Sequence, residues 1–269
     1  MFERVSGKVE LPGYQKLIIE NEAEQYAYEI RKQINVAIEL PIDLIEVIEK
    51  QFNTYVFQLV DLQVSGFIRV INGKKVIFLN GSESLGRQLY TAAHELCHIL
   101  RDLPHIKEIE SLDEEERESK LKEMEYFAYK FADYFLTPRP ALIQSIAELK
   151  ISDLRLLEPI HIFNIQNRFR ISYRQAVRML HKIGVITEKQ RNELGSISSK
   201  ENPNLLLEMA QKAGYSNELS LPLAESRIPK IFYSSIKENS IHSRISSRKL
   251  TYLSEMLQIS FGSKDGSAE

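Results

Sequence analysis

The sequence has a single cysteine, no tryptophan, and no apolar run approaching the roughly 20 residues that cross a bilayer. The lone cysteine, Cys97, has no partner for an intrachain disulfide, which fits a reducing compartment. The formal net charge of −2 excludes a global positive field that would recruit nucleic acid. The N-terminal stretch MFERVSGKVELPGYQK carries charges where a secretory signal needs an apolar core. These absences predict a cytoplasmic protein with no membrane partner.

The composition is that of an ordinary globular protein, with 43% hydrophobic and 27% charged residues. Apolar residues recur at helical spacing over 14–35, and the β-rich segments YVFQLV, GFIRVI and KKVIFLN follow. The pair Asn72-Gly73 separates the last two segments and is a strong hairpin signal. The patterns predict an α+β fold that is mostly helical, with a small antiparallel β-sheet and helices after it.

Two breaks divide the chain into three predicted parts. The helical pattern KLKEMEYFAYKFADYFLTP ends at Pro138, and the stretch GSISSKENPN at 195–204 has the composition of a linker. We therefore expect a first domain at 1–138, a helical region at 139–195 and a C-terminal helical extension at 196–269.

The stretch TAAHELCHIL contains His-Glu-x-x-His, with His94 and His98 four residues apart on a predicted helix. Residues at this spacing share one face, so both imidazoles can reach one metal ion. Glu95 lies about 100° round the helix, where it can take a proton from an attacking water rather than bind the ion. This combination predicts a hydrolytic zinc site with Glu95 as the catalytic residue.

A catalytic zinc site needs a third protein ligand. Metzincins extend the motif to H-E-x-x-H-x-x-G-x-x-H, but Arg101 stands in place of that glycine and Pro104 in place of that histidine. His105 comes one residue late, so we keep it only as a wall or substrate-contact residue.

Glu125 is the better candidate for the third ligand. It lies one turn before Ala128 on the apolar stripe of the next helix, and a buried carboxylate needs a partner. Glu123 and Asp133 are nearby alternatives, but each falls off that stripe.

The combined motifs resemble those of the ImmA/IrrE metallopeptidases, in which a strand pair precedes the H-E-x-x-H helix. The pattern E-x-x-A-x-x-F-A-x-x-[LF]-L-x-P of the following helix is matched here by Glu125, Ala128, Phe131, Ala132, Phe135, Leu136 and Pro138. The resemblance covers roughly residues 15–185. It implies a zincin-like fold and a zinc ion, or another divalent ion such as manganese. The ligands it implies are His94, His98 and Glu125, with Glu95 as the base.

Three more side chains near the motif have a functional and a structural interpretation. Cys97 stands where relatives usually carry glycine, and it is a small packing residue, a redox-sensitive thiol or an alternative ligand. Tyr90 and Tyr126 could donate a hydrogen bond to a tetrahedral intermediate, although core packing is favoured for both.

Residues 160–186 have the pattern of a helix-turn-helix. Ser172 is a predicted N-cap and Gln175 completes a capping box. Gln175 could contact a base edge, and phosphates could be met by Arg174, Arg178 and Lys182. Packing of this helix pair on the first domain is the favoured alternative, so direct DNA binding is not favoured.

The sequence thus predicts an intracellular zinc-dependent endopeptidase with a protein partner. The resemblance implies that its substrate is a specific DNA-binding repressor or stress regulator. The alternatives are a transcriptional regulator or a toxin–antitoxin component, in which the metal site is structural or sensory.

Overall fold

The computed structural model describes residues 11–198, 204–259 and 261. Most of the charged N-terminal stretch and residues 199–203 of the predicted linker lie outside the described residues. The first half of the described chain contains α1 Gly13–Gln33, α2 Leu44–Gln51, β1 Thr54–Leu59, β2 Gly66–Ile71, β3 Lys74–Asn80, α3 Leu85–Cys97, α4 Ile106–Glu110 and α5 Glu114–Leu136. The second half contains α6 Arg139–Glu148, α7 Pro159–Phe169, α8 Tyr173–Lys182, α9 Glu188–Ser196, α10 Leu205–Lys212, α11 Lys230–Ile241 and α12 Ser247–Leu257.

The fold class is confirmed as α+β and mostly helical, but the sheet is mixed rather than wholly antiparallel. Its strand order is β1-β3-β2. The predicted hairpin joins β2 to β3, with Asn72 and Gly73 at φ 49° and 74° as such a tight turn requires. Residues 60–65 connect β1 to β2 and leave a gap between these two strands. Strand β3 fills this gap and pairs parallel with β1.

Helix α5 packs against both α1 and α3, and this contact sets the geometry of the candidate site. Ala128 and Ala132 are fully buried, and small side chains let neighbouring helices approach closely. The helix begins at the N-cap Asp113, whose side chain accepts a hydrogen bond from the Glu116 N–H. Three glutamates follow in its first turn, where the helix dipole favours negative charge.

The start of α3 is held from two sides. The Gln58 side chain on β1 donates to Gln88 over 2.8 Å, which ties the sheet to α3. On the other side, the Leu85 N–H donates to the Leu221 carbonyl over 2.9 Å. Gly86 is required here, because a Cβ at this position would lie 2.6 Å from the Ser172 backbone nitrogen.

One hydrophobic core extends from α1 to Leu219, so described residues of all three predicted parts contribute to it. The proposed division at 138 and 195 stays a prediction. Among the described helices, none is long and apolar enough to cross a membrane.

Candidate metal centre

The His-Glu-x-x-His motif lies where α3 changes its winding. The α-helix ends at Cys97, and His98–Asp102 form one π-helical turn in which the Leu103 N–H donates to the His98 carbonyl. Such turns occur frequently at functional sites in proteins. The turn keeps both histidines on the buried face of the helix, where His94 is 3% and His98 2% exposed.

His94, His98 and Glu125 converge on one point. The Nε2 atoms of the two histidines are 3.1 Å apart. Glu125, on α5, places one carboxylate oxygen 3.4 Å from His94 Nε2 and the other 3.4 Å from His98 Nε2. They form the one cluster of three or more potential metal-ligating side chains found among the described residues.

These separations fit a metal ion. Ligand atoms bound at the usual 2.0–2.1 Å to a tetrahedral zinc lie about 3.3 Å apart, which follows from the tetrahedral angle. The measured separations of 3.1–3.4 Å are close to that value. Two imidazoles and one carboxylate are also a donor set that zinc accepts in hydrolytic enzymes. The residues present therefore fit a divalent metal of this kind.

The three side chains of the cluster shift one another's pKa values. Burial lowers the pKa of His94. Burial also opposes charging of His98, but hydrogen bonds to Asp102 and Glu125 outweigh it and raise its pKa to about 10. Burial disfavours the charged form of Glu125, yet hydrogen bonds to both histidines lower its pKa. Metal ligands must be deprotonated to bind, so metal binding at these three side chains is expected to depend on pH.

Comparison with known proteins agrees with this geometry. The peptidase M78 family, described as an IrrE N-terminal-like domain, matches residues 45–181, which is just over half of the chain. The chain belongs to this peptidase family. The matched residues include α3, α5 and all of α8 except its last residue, so the match contains the whole candidate metal centre.

Solved structures and curated proteins add little beyond this family. The chain is similar to a Mycobacterium tuberculosis transcriptional regulator with 17% identity and a TM-score of 0.40, over 67% of this chain and 54% of that chain. The chain therefore spans about half the length of that structure. No curated protein matches the sequence.

The other candidate residues near the motif, His105, Glu123 and Asp133, make their contacts away from the two histidines. His105 lies 3.2 Å from Glu108 at the surface, beside a cleft of about 440 Å³ that also includes Asp102. Glu123 accepts a hydrogen bond from Lys120. Asp133 pairs with cationic side chains of α8. Glu125 is thus the carboxylate of this group that meets the two histidines.

Asp102 is a site residue that the sequence analysis did not identify. It is 3% exposed, and its carboxylate lies 2.7 Å from His98 Nδ1. Its other oxygen accepts a hydrogen bond from Arg101 over 2.9 Å, and the Arg101 guanidinium lies 3.9 Å from the centre of the Phe127 ring. A carboxylate on the second imidazole nitrogen orients the ring and makes the ligating nitrogen more basic. Its spacing of four residues after His98 could have revealed it.

Removing the Asp102 carboxylate is therefore expected to weaken metal binding. We predict that Asp102→Ala raises the Kd for zinc about 10- to 100-fold, as loss of such a partner commonly does. Asp102→Asn should raise it less, because the amide oxygen can still accept from Nδ1. Competition with a chromophoric chelator measures both, with exposed Glu108→Gln as the control. An Asp102→Ala protein that binds zinc as tightly as the control would contradict this role.

Tyr129 is a second residue that the sequence analysis missed. Its ring centre lies 4.4 Å from that of His94, and it lines a small hollow that reaches His94. Tyr129 is 40% exposed, whereas Tyr90 is 5% exposed and donates its hydroxyl to the Tyr129 carbonyl. Tyr126, half-buried, packs against the main core, which agrees with the favoured packing role. Tyr129 comes one turn after Glu125 on α5, and that spacing could have identified it as a site residue.

Cys97 has the surroundings of a packing residue. It is fully buried in the main hydrophobic core and is not part of the ligand cluster. Burial raises the pKa of its thiol, so the reactive thiolate is disfavoured. These observations favour the structural interpretation over a redox-sensitive thiol.

Helix α8 packs against α1 and α5. Lys182 bonds to Asp133 over 3.2 Å and lies 3.0 Å from Glu20, and Arg178 also pairs with Asp133. Gln175 is only 4% exposed. Ser172 caps the helix as predicted, accepting from the Gln175 N–H. The predicted capping box is wrong, because the Gln175 side chain makes no bond back to the cap among the described residues. Of the four side chains predicted to be available for DNA contact, Gln175 is buried, and Arg178 and Lys182 are paired within the chain. This favours the packing interpretation.

Proposed function

We propose that the protein is a zinc-dependent endopeptidase that cleaves one specific DNA-binding repressor or stress regulator. The observation that supports this most is the convergence of His94, His98 and Glu125 within 3.1–3.4 Å of one another beside a buried Glu95. Manganese or a similar divalent ion is an alternative to zinc. When bound, the ion supplies Lewis acidity, which polarises a carbonyl and makes water more acidic.

Glu95 is the proposed general base and acid. It follows His94 on α3, is 4% exposed, and its charge acts on both histidines. In this role its carboxylate takes a proton from the water that attacks the scissile carbonyl carbon. The same proton then passes to the amine nitrogen as the peptide C–N bond breaks.

Tyr129 is the proposed hydrogen-bond donor to the oxygen of the carbonyl under attack. It lies beside His94 at the mouth of the site, where a substrate carbonyl would enter. Charge develops on that oxygen during the attack, and a fixed donor stabilises it. The buried hydroxyl of Tyr90 holds the Tyr129 backbone in place.

Strand β2 is the proposed docking edge for the substrate peptide. It is an edge strand of the sheet among the described residues, and the preceding Ser65 lines the hollow at His94. Val70 and Ile71 at its far end are 52% and 50% exposed. An extended peptide can add to such an edge through main-chain hydrogen bonds, with side chains giving specificity.

Because the proposed substrate is a DNA-binding repressor, the proposal includes a cytoplasmic location for the protein. To test the proposal, the purified zinc-loaded protein is incubated with repressors encoded by neighbouring genes, and fragment masses are measured. We expect one repressor to give two fragments whose masses add to the intact protein plus one water. If every such repressor stays intact while the protein holds one zinc per chain, the proposed substrate class is wrong.

A further inference from the structure

A cleft beside the metal centre has a lining that, apart from Tyr90, takes no part in the proposed chemistry. Its volume is about 730 Å³, within the range of ligand sites. It lies between the start of α3, the N-terminal half of α8 and the segment after α10. The lining residues that matter here are Arg87, Tyr90, Tyr173, Arg174, Gln175 and Arg178.

The cleft adjoins the metal centre along α3. Arg87 and Tyr90 line both this cleft and the small hollow at His94. Arg87 comes seven residues before His94, which is about 10 Å along a helix. An extended peptide covers that distance in about three residues. A substrate with its scissile bond at the metal centre would therefore reach the cleft about three residues away.

Two buried polar side chains in the lining have no hydrogen-bond partner among the described residues. Within that part of the chain, both amide atoms of Gln175 and the hydroxyl of Tyr173 are unpaired, although these residues are only 4% and 1% exposed. Buried polar groups are almost always hydrogen-bonded in folded proteins. Unpaired groups in the wall of a cleft therefore point to a ligand that brings its own donors and acceptors.

The charge of the lining favours an anion. Three arginines contribute, of which Arg178 is neutralised by Asp133 and Arg87 lies 3.6 Å from Glu83. Arg174 has no carboxylate partner among the described residues, and its guanidinium donates to the Ser198 carbonyl over 3.1 Å. The N-terminus of α8 at Ser172 adds positive potential. A carboxylate can bind a guanidinium through two parallel hydrogen bonds.

We propose that this cleft is a substrate subsite that receives an aspartate or glutamate side chain about three residues from the scissile bond. Arg174 binds the carboxylate, and Gln175 and Tyr173 hydrogen-bond the adjoining peptide. This inference rests on the proposed peptidase function and adds a substrate preference to it.

Cleavage profiling tests the preference. The zinc-loaded protein is incubated with a proteome-derived peptide mixture, and residue frequencies are counted around each cleaved bond. We expect acidic residues to be enriched at one position about three residues from that bond. For matched peptides, Arg174→Gln should lower kcat/KM for the glutamate form roughly 10- to 100-fold, mainly through KM, the range expected for a lost charged hydrogen bond. The glutamine form should change little.

Arg155→Gln is the matched control, because Arg155 is an exposed arginine outside the cleft, with 87% of its side chain accessible. Cleavage without an acidic preference overturns the subsite and leaves the peptidase function intact. A rate that responds to free glutarate with every peptide, and loses that response in Arg174→Gln, identifies an effector site and also overturns the subsite.

A binding measurement separates the subsite from catalysis. The same peptide mixture is captured on immobilised full-length Glu95→Gln protein and on the Glu95→Gln, Arg174→Gln double variant. Enrichment of acidic peptides on the first and not on the second supports the subsite even if the wild type cleaves nothing, in which case the proposed peptidase function fails alone. Equal enrichment on both overturns the subsite.

Discussion

Glu95→Gln is expected to lower the rate of substrate cleavage by about 10²- to 10⁴-fold, the usual contribution of a general base. The amide keeps the size of the side chain but cannot take a proton from water. Zinc affinity should stay within about threefold of the wild type, because removing a base that is not a ligand leaves the donor set intact. Single-turnover cleavage and chelator competition measure the two quantities on the same preparations.

Glu193→Gln is a suitable control, since Glu193 is exposed on α9, far along the chain from the motif. A Glu95→Gln protein that cleaves at the wild-type rate would contradict the assigned base. If this variant also relieves repression in cells as well as the wild type does, proteolysis is not the mechanism. A transcriptional regulator or toxin–antitoxin role, with a structural or sensory metal, would then be favoured.

Glu125→Gln is expected to raise the Kd for zinc about 100-fold or more. Loss of a residue that only supports a ligand commonly raises it 10- to 100-fold, and loss of a ligand should exceed that. A neutral amide is a poor replacement, because zinc sites in proteins use imidazole, thiolate and carboxylate donors. Isothermal titration with zinc measures the change, and the melting temperature should rise less on zinc addition than in the wild type.

Glu123→Gln provides the matched control on the same helix. Glu123 lies two residues earlier and bonds to Gln15 and Lys120 rather than to the histidines. It should bind zinc like the wild type. Equal zinc affinity in Glu125→Gln and Glu123→Gln would show that Glu125 does not hold the ion.

The convergence of His94, His98 and Glu125 could be predicted because it depends on local periodicity, while their role as metal ligands stays a prediction. His94 and His98 share a helix face at a spacing of four, and Glu125 interrupts an apolar stripe where a carboxylate needs a partner. The hairpin at Asn72-Gly73 was predictable for the same reason, since the turn needs positive φ at both positions.

Features that depend on distant contacts were not predicted. The parallel pairing of β1 with β3 depends on how residues 60–65 connect β1 to β2. No local sequence pattern in these residues specifies that path. The burial of Gln175 was not predicted, because an N-capped helix has the same local sequence whether this face is exposed or buried. Its burial is a tertiary feature of a region where the backbone of Ile171 and Ser172, just before α8, lies so close to α3 that position 86 has no room for a Cβ.

X-ray diffraction from zinc-soaked crystals, with anomalous data collected at the zinc absorption edge, tests the central claim most directly. We predict one strong anomalous peak within about 2.0–2.2 Å of Nε2 of His94, Nε2 of His98 and a Glu125 carboxylate oxygen. A peak elsewhere, or a zinc bound by the two histidines with Glu125 turned away and no other acid in its place, would contradict it.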